Sequence, residues 1–217
     1  LIAEDHTIVR EGLLSLLSYY PEIVVVGEAI NGRMAVEMAR EKLPDVVLMD
    51  IGMPELNGFE ATRQIKKYLP ATHVLILSGH DSDEYVREIA QTGASGYLLK
   101  TSAPDELKKA IVAVTKGEKL FRLSNDIASA APGEYPAANH PDRKDLPNSK
   151  ALLTAREREI LQLIGEGKFH AQIAETLHIS IRTVDTHRNN ILKKLGLHDA
   201  AGLVTYALKN GIIFLPE

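Results

Sequence analysis

The 217-residue chain contains no cysteine. Disulfides and thiolate-ligated zinc are therefore excluded, and an intracellular, cytoplasmic setting fits. Long hydrophobic runs are missing too. Apolar runs are short, such as Val46-Val47-Leu48-Met49 and Val74-Leu75-Ile76-Leu77, well below the roughly 20 residues that cross a bilayer, so no membrane partner is expected. No signal-peptide pattern is visible in a sequence that starts on Leu1 rather than Met. Internal repeats are absent. What remains is an ordinary globular mixture, 45% hydrophobic and 25% charged, long enough for one large domain or two ordinary ones.

Charge is unevenly spread. Residues 1–122 carry 14 Lys and Arg against 18 Asp and Glu, residues 123–150 carry 3 against 4, and residues 151–217 carry 8 against 7 with four further histidines. A near-neutral third segment says little about nucleic acid, but its distribution says more. Arg182, Arg188, Lys193 and Lys194 are opposed only by Asp185 between positions 182 and 194.

The first half alternates strand and helix signals. Leu1 to Ala3 reads as the end of a strand, and Val9, Leu13, Leu16 and Leu17 follow at helical spacing. A β-branched run, Ile23 to Val26, stops at Gly27. A helix with Ala35, Val36, Met38 and Ala39 ends before Pro44. Further strands are expected at Asp45 to Met49, His73 to Leu77 and Gly96 to Leu99. Helices are expected near 58–67, 83–92 and 104–116, the last opened by Pro104. Five β-α units with continuous apolar strands imply a parallel sheet covered by helices on both faces. Ligands of such sheets gather at the carboxyl ends of the strands. Glu4 and Asp5, Asp50, Ser78 and Lys100 all fall at that edge.

Residues 123–150 hold four of the ten prolines and almost no apolar periodicity, as a flexible linker does. From Leu152 onward the pattern is helical. Thr154 and Glu157 form a capping box, with Ile160, Leu161 and Ile164 inward and Gly165 and Gly167 as stops. His170 to Leu177 is a short helix, His178 to Ser180 a tight turn, 181–194 a second helix, and 199–209 a last one. Two short helices joined by three residues point to helix-turn-helix.

Convergence of Glu4, Asp5 and Asp50 calls for a divalent cation with a preference for oxygen, in the manner of magnesium. Lys100 adds positive charge and Ser78 a hydroxyl donor. Such a set suits phosphoryl transfer, where positioning and charge neutralisation supply most of the catalysis. With no nucleotide loop nearby, the plausible acceptor is a carboxylate, and Asp50 is the central one. In helix 181–194, Val184, Ile191 and Leu195 share one face, spaced to pack on Ile173, Ala174 and Leu177. The opposite face presents Arg182, Asp185, Thr186, Asn189 and Lys193. A stripe of this kind matches what a major groove offers, although a solvated helix face looks the same.

Glu4-Asp5, Asp50 to Pro54 with Gly58, Ser78, and Tyr97 to Lys100 resemble the response-regulator receiver signature over residues 1 to about 120. Leu153 to Glu159, Ile173-Ala174, Thr183 to Ile191 and Lys194-Leu195 resemble the LuxR-type helix-turn-helix domain from about 152 to 213. The two together resemble the NarL/FixJ regulators. That resemblance implies a flavodoxin-like, doubly wound receiver at 1–122, a linker at 123–150 and a four-helix DNA-binding domain at 151–217. It implies a signalling protein rather than an enzyme. Asp50 would accept a phosphoryl group from a sensor histidine kinase. Asp5, Asp50 and the Gly52 carbonyl would hold magnesium or manganese, with Glu4 assisting. Ser78 and Lys100 would contact phosphoryl oxygens, and Tyr97 would turn inward when Ser78 moves. Arg182, Asp185, Thr186 and Asn189 would face bases of promoter DNA, while Arg188, Lys193 and Lys194 would take phosphate or structural roles. His187 would be packed or would contact a phosphate.

The sequence departs from these patterns at several points. Gly52 and His80 occupy positions that tune dephosphorylation in the family. Thr101, not proline, follows Lys100. His170-Ala171 stands where Asn-Lys is frequent, and Asp185 where Lys is frequent, although acidic residues also occur there. The loss of two cations weakens sequence-independent affinity and favours a dimer on paired half-sites. The last helix, with Leu203, Val204, Ala207 and Leu208, serves either as a dimer face or as core. A haloacid-dehalogenase-type hydrolase is excluded, because Gly52 stands where a second Asp is required. A protein-regulated module with a relic pocket fits poorly with intact Asp50, Ser78 and Lys100.

Overall fold

The computed structural model describes residues 1–79, 83–121 and 153–213. The expected linker at 123–150 and His80 lie outside the described residues. The rest forms two compact units, each considered by itself.

In the first unit, β1 (Ile2–Ala3), α1 (Thr7–Ser18), β2 (Glu28–Ala29), α2 (Gly32–Lys42), β3 (Val46–Asp50), α3 (Gly58–Tyr68), β4 (His73–Ser78), α4 (Asp83–Gln91), β5 (Gly96–Leu99) and α5 (Pro104–Thr115) alternate. The strands form one parallel sheet in the order β2-β1-β3-β4-β5. Each apolar strand is buried on both faces because its side chains alternate between two cores. Val47 and Met49 of β3 and Val74 and Ile76 of β4 pack with Ala35, Val36 and Ala39 of α2, Phe59 and Ile65 of α3, and Val86 and Ile89 of α4. Leu48, Leu75 and Leu77 point the other way, onto Leu17 of α1 and Leu107, Ile111 and Val114 of α5.

One strand is not where the sequence pattern puts it. The β-branched run Ile23 to Val26 lies outside the ladder, and β2 is Glu28–Ala29. Ile23 and Val25 do pack on the α1–α5 core while Val24 and Val26 are exposed, so the alternation of an extended segment is real. The ladder residues of β2 are Glu28 and Ala29, in register with Ile2 and Ala3.

Helix ends follow local chemistry. Asn31 and Asn57 cap α2 and α3 by accepting from the backbone N–H of Met34 and Glu60. Gly58 opens α3 directly against the end of β3. Its N–H donates to the Ile51 carbonyl at 3.0 Å, and a Cβ there would collide with the backbone carbonyl of Asp50.

The second unit is all helix: α6 (Ala155–Gly165), α7 (His170–Thr176), α8 (Ile181–Leu195) and α9 (Ala200–Lys209). The capping box forms as expected. Glu157 N–H donates to Thr154 Oγ1 at 3.2 Å, and Thr154 N–H to Glu157 Oε2 at 2.7 Å. Gly165 does not stop α6 but is its last helical residue, where a Cβ would press into Ile213 and Ala207. The stop is Gly167, at a φ of 77°. His178 closes the α7–α8 turn at a φ of 51°, and Ser180 caps α8 by accepting from Thr183 N–H. Ile160, Leu161, Leu163, Ile173, Val184, Ile191, Leu203 and Ala207 form the dry core.

Glu157 also meets Lys194 Nζ at 2.7 Å, tying the start of α6 to the end of α8. Burial opposes ionisation of this carboxyl, but the bonds from Lys194 and Thr154 outweigh it and hold its pKa below the ordinary 4.5.

Two outcomes are expected. Gly58→Ala, measured by urea unfolding, destabilises the chain by about 3 kcal/mol, because the obstacle is backbone and cannot swing aside. For Glu157, the unfolded chain takes up the proton first as pH falls. The stability it contributes is therefore full above pH 4.5 and is lost as pH drops through its lowered pKa. In Glu157→Gln, circular dichroism of urea unfolding between about pH 3 and 6 shows a lower and flatter profile than wild type.

Candidate functional site

The carboxyl edge of the sheet collects the polar residues that the strand pattern placed there. Glu4 follows β1, Asp50 ends β3 and Ser78 ends β4, and all three are buried. Lys100 follows β5, its N–H donating to the Ser78 carbonyl at 2.8 Å. Its ammonium lies 2.7 Å from Glu4 Oε2 and 2.8 Å from Asp50 Oδ1. Burial disfavours that charge, but the Asp50 and Glu4 carboxylates outweigh it and raise the Lys100 pKa above the ordinary lysine value.

Asp5 is brought to Glu4 rather than directly onto Lys100. His6, which the sequence reading did not single out, links the two acids. Its Nδ1 lies 3.2 Å from Glu4 Oε1 and 3.1 Å from Asp5 Oδ1. Glu4, Asp5 and His6 offer ligand atoms within 4.8 Å of one another. Arg10 was missed as well. Its guanidinium donates to the Glu4 and Asp5 carbonyls at 3.0 and 3.4 Å and pairs with Glu28, so it fixes the backbone under the acids. Glu4, Asp5 and Asp50 outnumber Lys100, and the buried Glu4 Oε2 and Asp5 Oδ1 atoms each meet a single cationic or imidazole nitrogen, of Lys100 and of His6. An excess of carboxylate over cation fits a hard divalent ion.

Gly52 sits half-buried in the loop after β3. Tyr97, paired in register with Ile76, is half-buried against the core on the α2–α4 side. Beside that core, the Phe59 and Tyr85 rings meet edge to face at 5.4 Å.

On α8, Val184 and Ile191 are fully buried and Leu195 partly, in the core that holds Ile173, Ala174 and Leu177. Arg182, Asp185, Thr186, Asn189, Lys193 and Lys194 are exposed, while His187 and Arg188 are half-buried. Thr186 Oγ1 donates to the Arg182 carbonyl at 2.9 Å, leaving its oxygen to accept. Lys194 is held by Glu157, which favours the structural one of its two expected roles. Two of the positions where the sequence departs from the family pattern meet in space, His170 Nδ1 lying 2.7 Å from Asp185 Oδ1. On α9, Leu203 and Ala207 are buried in the core, with Val204 and Leu208 partly buried beside them. Among the described residues no helix is long and apolar enough to cross a membrane.

The family model described as the response regulator receiver domain matches residues 1–112, and that of bacterial regulatory proteins of the luxR family matches residues 151–207. Over 213 residues the chain is 40% identical to the transcriptional regulatory protein MctR of Rhizobium johnstonii, covering 98% of this chain and 94% of that protein. It is also 40% identical over 213 residues to LiaR of Bacillus subtilis, covering 98% of each. The signal receiver domain of a response regulator NarL from Mycobacterium tuberculosis superposes with a TM-score of 0.52 at 39% identity, over 54% of this chain and 94% of that one. The chain belongs to the NarL/FixJ family of two-component response regulators, a receiver domain joined to a LuxR-type helix-turn-helix domain. It is a signal-transduction protein, not a conventional enzyme, and it links phosphorylation to control of DNA binding. Membership implies a cognate histidine kinase and DNA as partners.

The Lys100 pair carries a direct test. Lys100→Met leaves the Glu4 and Asp50 carboxylates facing each other without their cation. Urea unfolding at pH 7 then shows a loss of about 3 kcal/mol.

Proposed function

We propose that Asp50 is the phosphoryl acceptor of this response regulator. The observation that carries the reading is a buried carboxylate at the sheet edge with the Lys100 ammonium 2.8 Å away. An Asp50 oxygen attacks the phosphorus of a phosphohistidine on the kinase. The N–P bond breaks, the imidazole keeps the electron pair, and an acyl phosphate forms on Asp50. Lys100 shifts from the carboxylates to the incoming phosphoryl oxygens, and the Ser78 hydroxyl donates to another. Asp5, Asp50 and the Gly52 carbonyl would hold magnesium or manganese, with Glu4 assisting. When bound, the cation neutralises phosphoryl charge.

Ser78 and Tyr97 then report the new charge to the rest of the receiver, whose span is 1–122. Phosphorylation stabilises one of two receiver states over the other, which is what a switch requires. Residues 123–150 connect it to the DNA-binding domain at 151–217, and the active state pairs two chains on paired half-sites. In that domain α8 is the recognition helix. Arg182, Asp185, Thr186 and Asn189 face bases, while His187, Arg188 and Lys193 contact phosphates. The cytoplasm, where kinase and DNA are both present, is its site of action.

In a gel-shift titration on genomic DNA fragments, magnesium plus a small phosphodonor tightens binding by the wild type. Asp50→Asn gains no phosphoryl mass and shows no tightening. Equal binding by wild type in both conditions and by the variant removes Asp50 from the switch while leaving DNA binding intact.

A further inference from the structure

Asp185 is an acid on the surface that α8 turns toward DNA, where a carboxylate meets a polyanion. Its side chain is half-exposed and its contact is with His170 of α7, at 2.7 Å, not with Arg182 or Arg188 of its own helix. An exposed pair of this kind adds little to stability, so stability does not account for it. What the contact does achieve is orientation. One carboxylate oxygen, Oδ1, is engaged from the neighbouring helix, which leaves Oδ2 to accept from a base. Arg182 and Asn189 lie three residues before and four residues after on the same exposed face, leaving Asp185 at the centre of the stripe.

A carboxylate accepts hydrogen bonds and donates none. Of the four base edges in the major groove, guanine offers two acceptors and thymine an acceptor and a methyl, so both repel or ignore it. Adenine offers an amine beside the acceptor N7, which opposes the carboxylate. Cytosine alone presents only a donor, its N4 amine. Resting on the assignment of α8 as the recognition helix, we propose that Asp185 reads a cytosine in each half-site and that His170 is its positioning residue.

The test is selection from a duplex library with a randomised core. It uses the full chain with magnesium and a small phosphodonor, followed by sequencing for the wild type, Asp185→Asn and His170→Ala. The wild type recovers a motif with cytosine fixed at one position of each half-site. In Asp185→Asn that position turns to adenine or loses its preference, because an amide pairs with adenine. The variant binds the wild-type motif about tenfold more weakly, with the other positions unchanged. His170→Ala keeps the cytosine but discriminates several-fold less at that position alone, whereas a purely structural His170 lowers affinity evenly across the motif. An Asp185→Asn profile equal to wild type at every position, or an even loss in His170→Ala, overturns the proposal. Failure of the wild type to select any motif overturns the recognition-helix assignment itself, and this inference with it.

Discussion

The first unit is organised around one electrostatic problem, the convergence of carboxylates at the end of a parallel sheet. Because all five strands point the same way, every residue that leaves a strand at its carboxyl end joins the same small region. Glu4 and Asp50 arrive there buried. Isolated buried carboxylates are costly, and the Lys100 ammonium within 2.8 Å of both is what makes the arrangement tenable. Lys100 in turn is placed by its backbone bond to Ser78. The ends of β1, β3, β4 and β5 are thus joined through one cation and one hydrogen bond.

That arrangement explains why the surroundings are so exacting. Gly58 lets the start of α3 come against the Asp50 backbone, and Asn57 caps the same helix. Arg10 holds the carbonyls of Glu4 and Asp5 from α1. The backbone beneath Glu4, Asp5 and Asp50 is thus held by a guanidinium, a close helix approach and a helix cap. The helical unit solves a different problem. It buries one face of α8 through Val184 and Ile191, leaves the other face bare, and needs no charge cluster to do so.

Much of this was legible in the sequence because it depends on local pattern. Period-2 and continuous apolar runs located β3, β4 and β5, and Asp50, Ser78 and Lys100 fell at strand ends by simple counting. The Thr154–Glu157 box is a four-residue signal and formed as read. What was not legible depends on partners distant in the chain. The run Ile23 to Val26 alternates as a strand does, but the ladder residues are Glu28 and Ala29, which only the register with β1 reveals. Gly165 reads as a helix stop until Ile213 and Ala207 are seen against it. His6 gave a faint signal, a ring nitrogen beside two acids. The contacts of Lys194 with Glu157 and of His170 with Asp185 join residues on different helices, and no periodicity encodes them.

The turn between α7 and α8 has a wider consequence. It is closed by the left-handed backbone of His178 and the Ser180 cap, and α8 is seated by Val184 and Ile191. None of these lies on the exposed stripe. The pose of the helix and the text it reads are therefore written in separate residues. Descendants of this sequence can exchange Arg182, Asp185, Thr186 or Asn189 one at a time without reopening the fold. The vocabulary of the domain is free to drift while its grammar stays fixed.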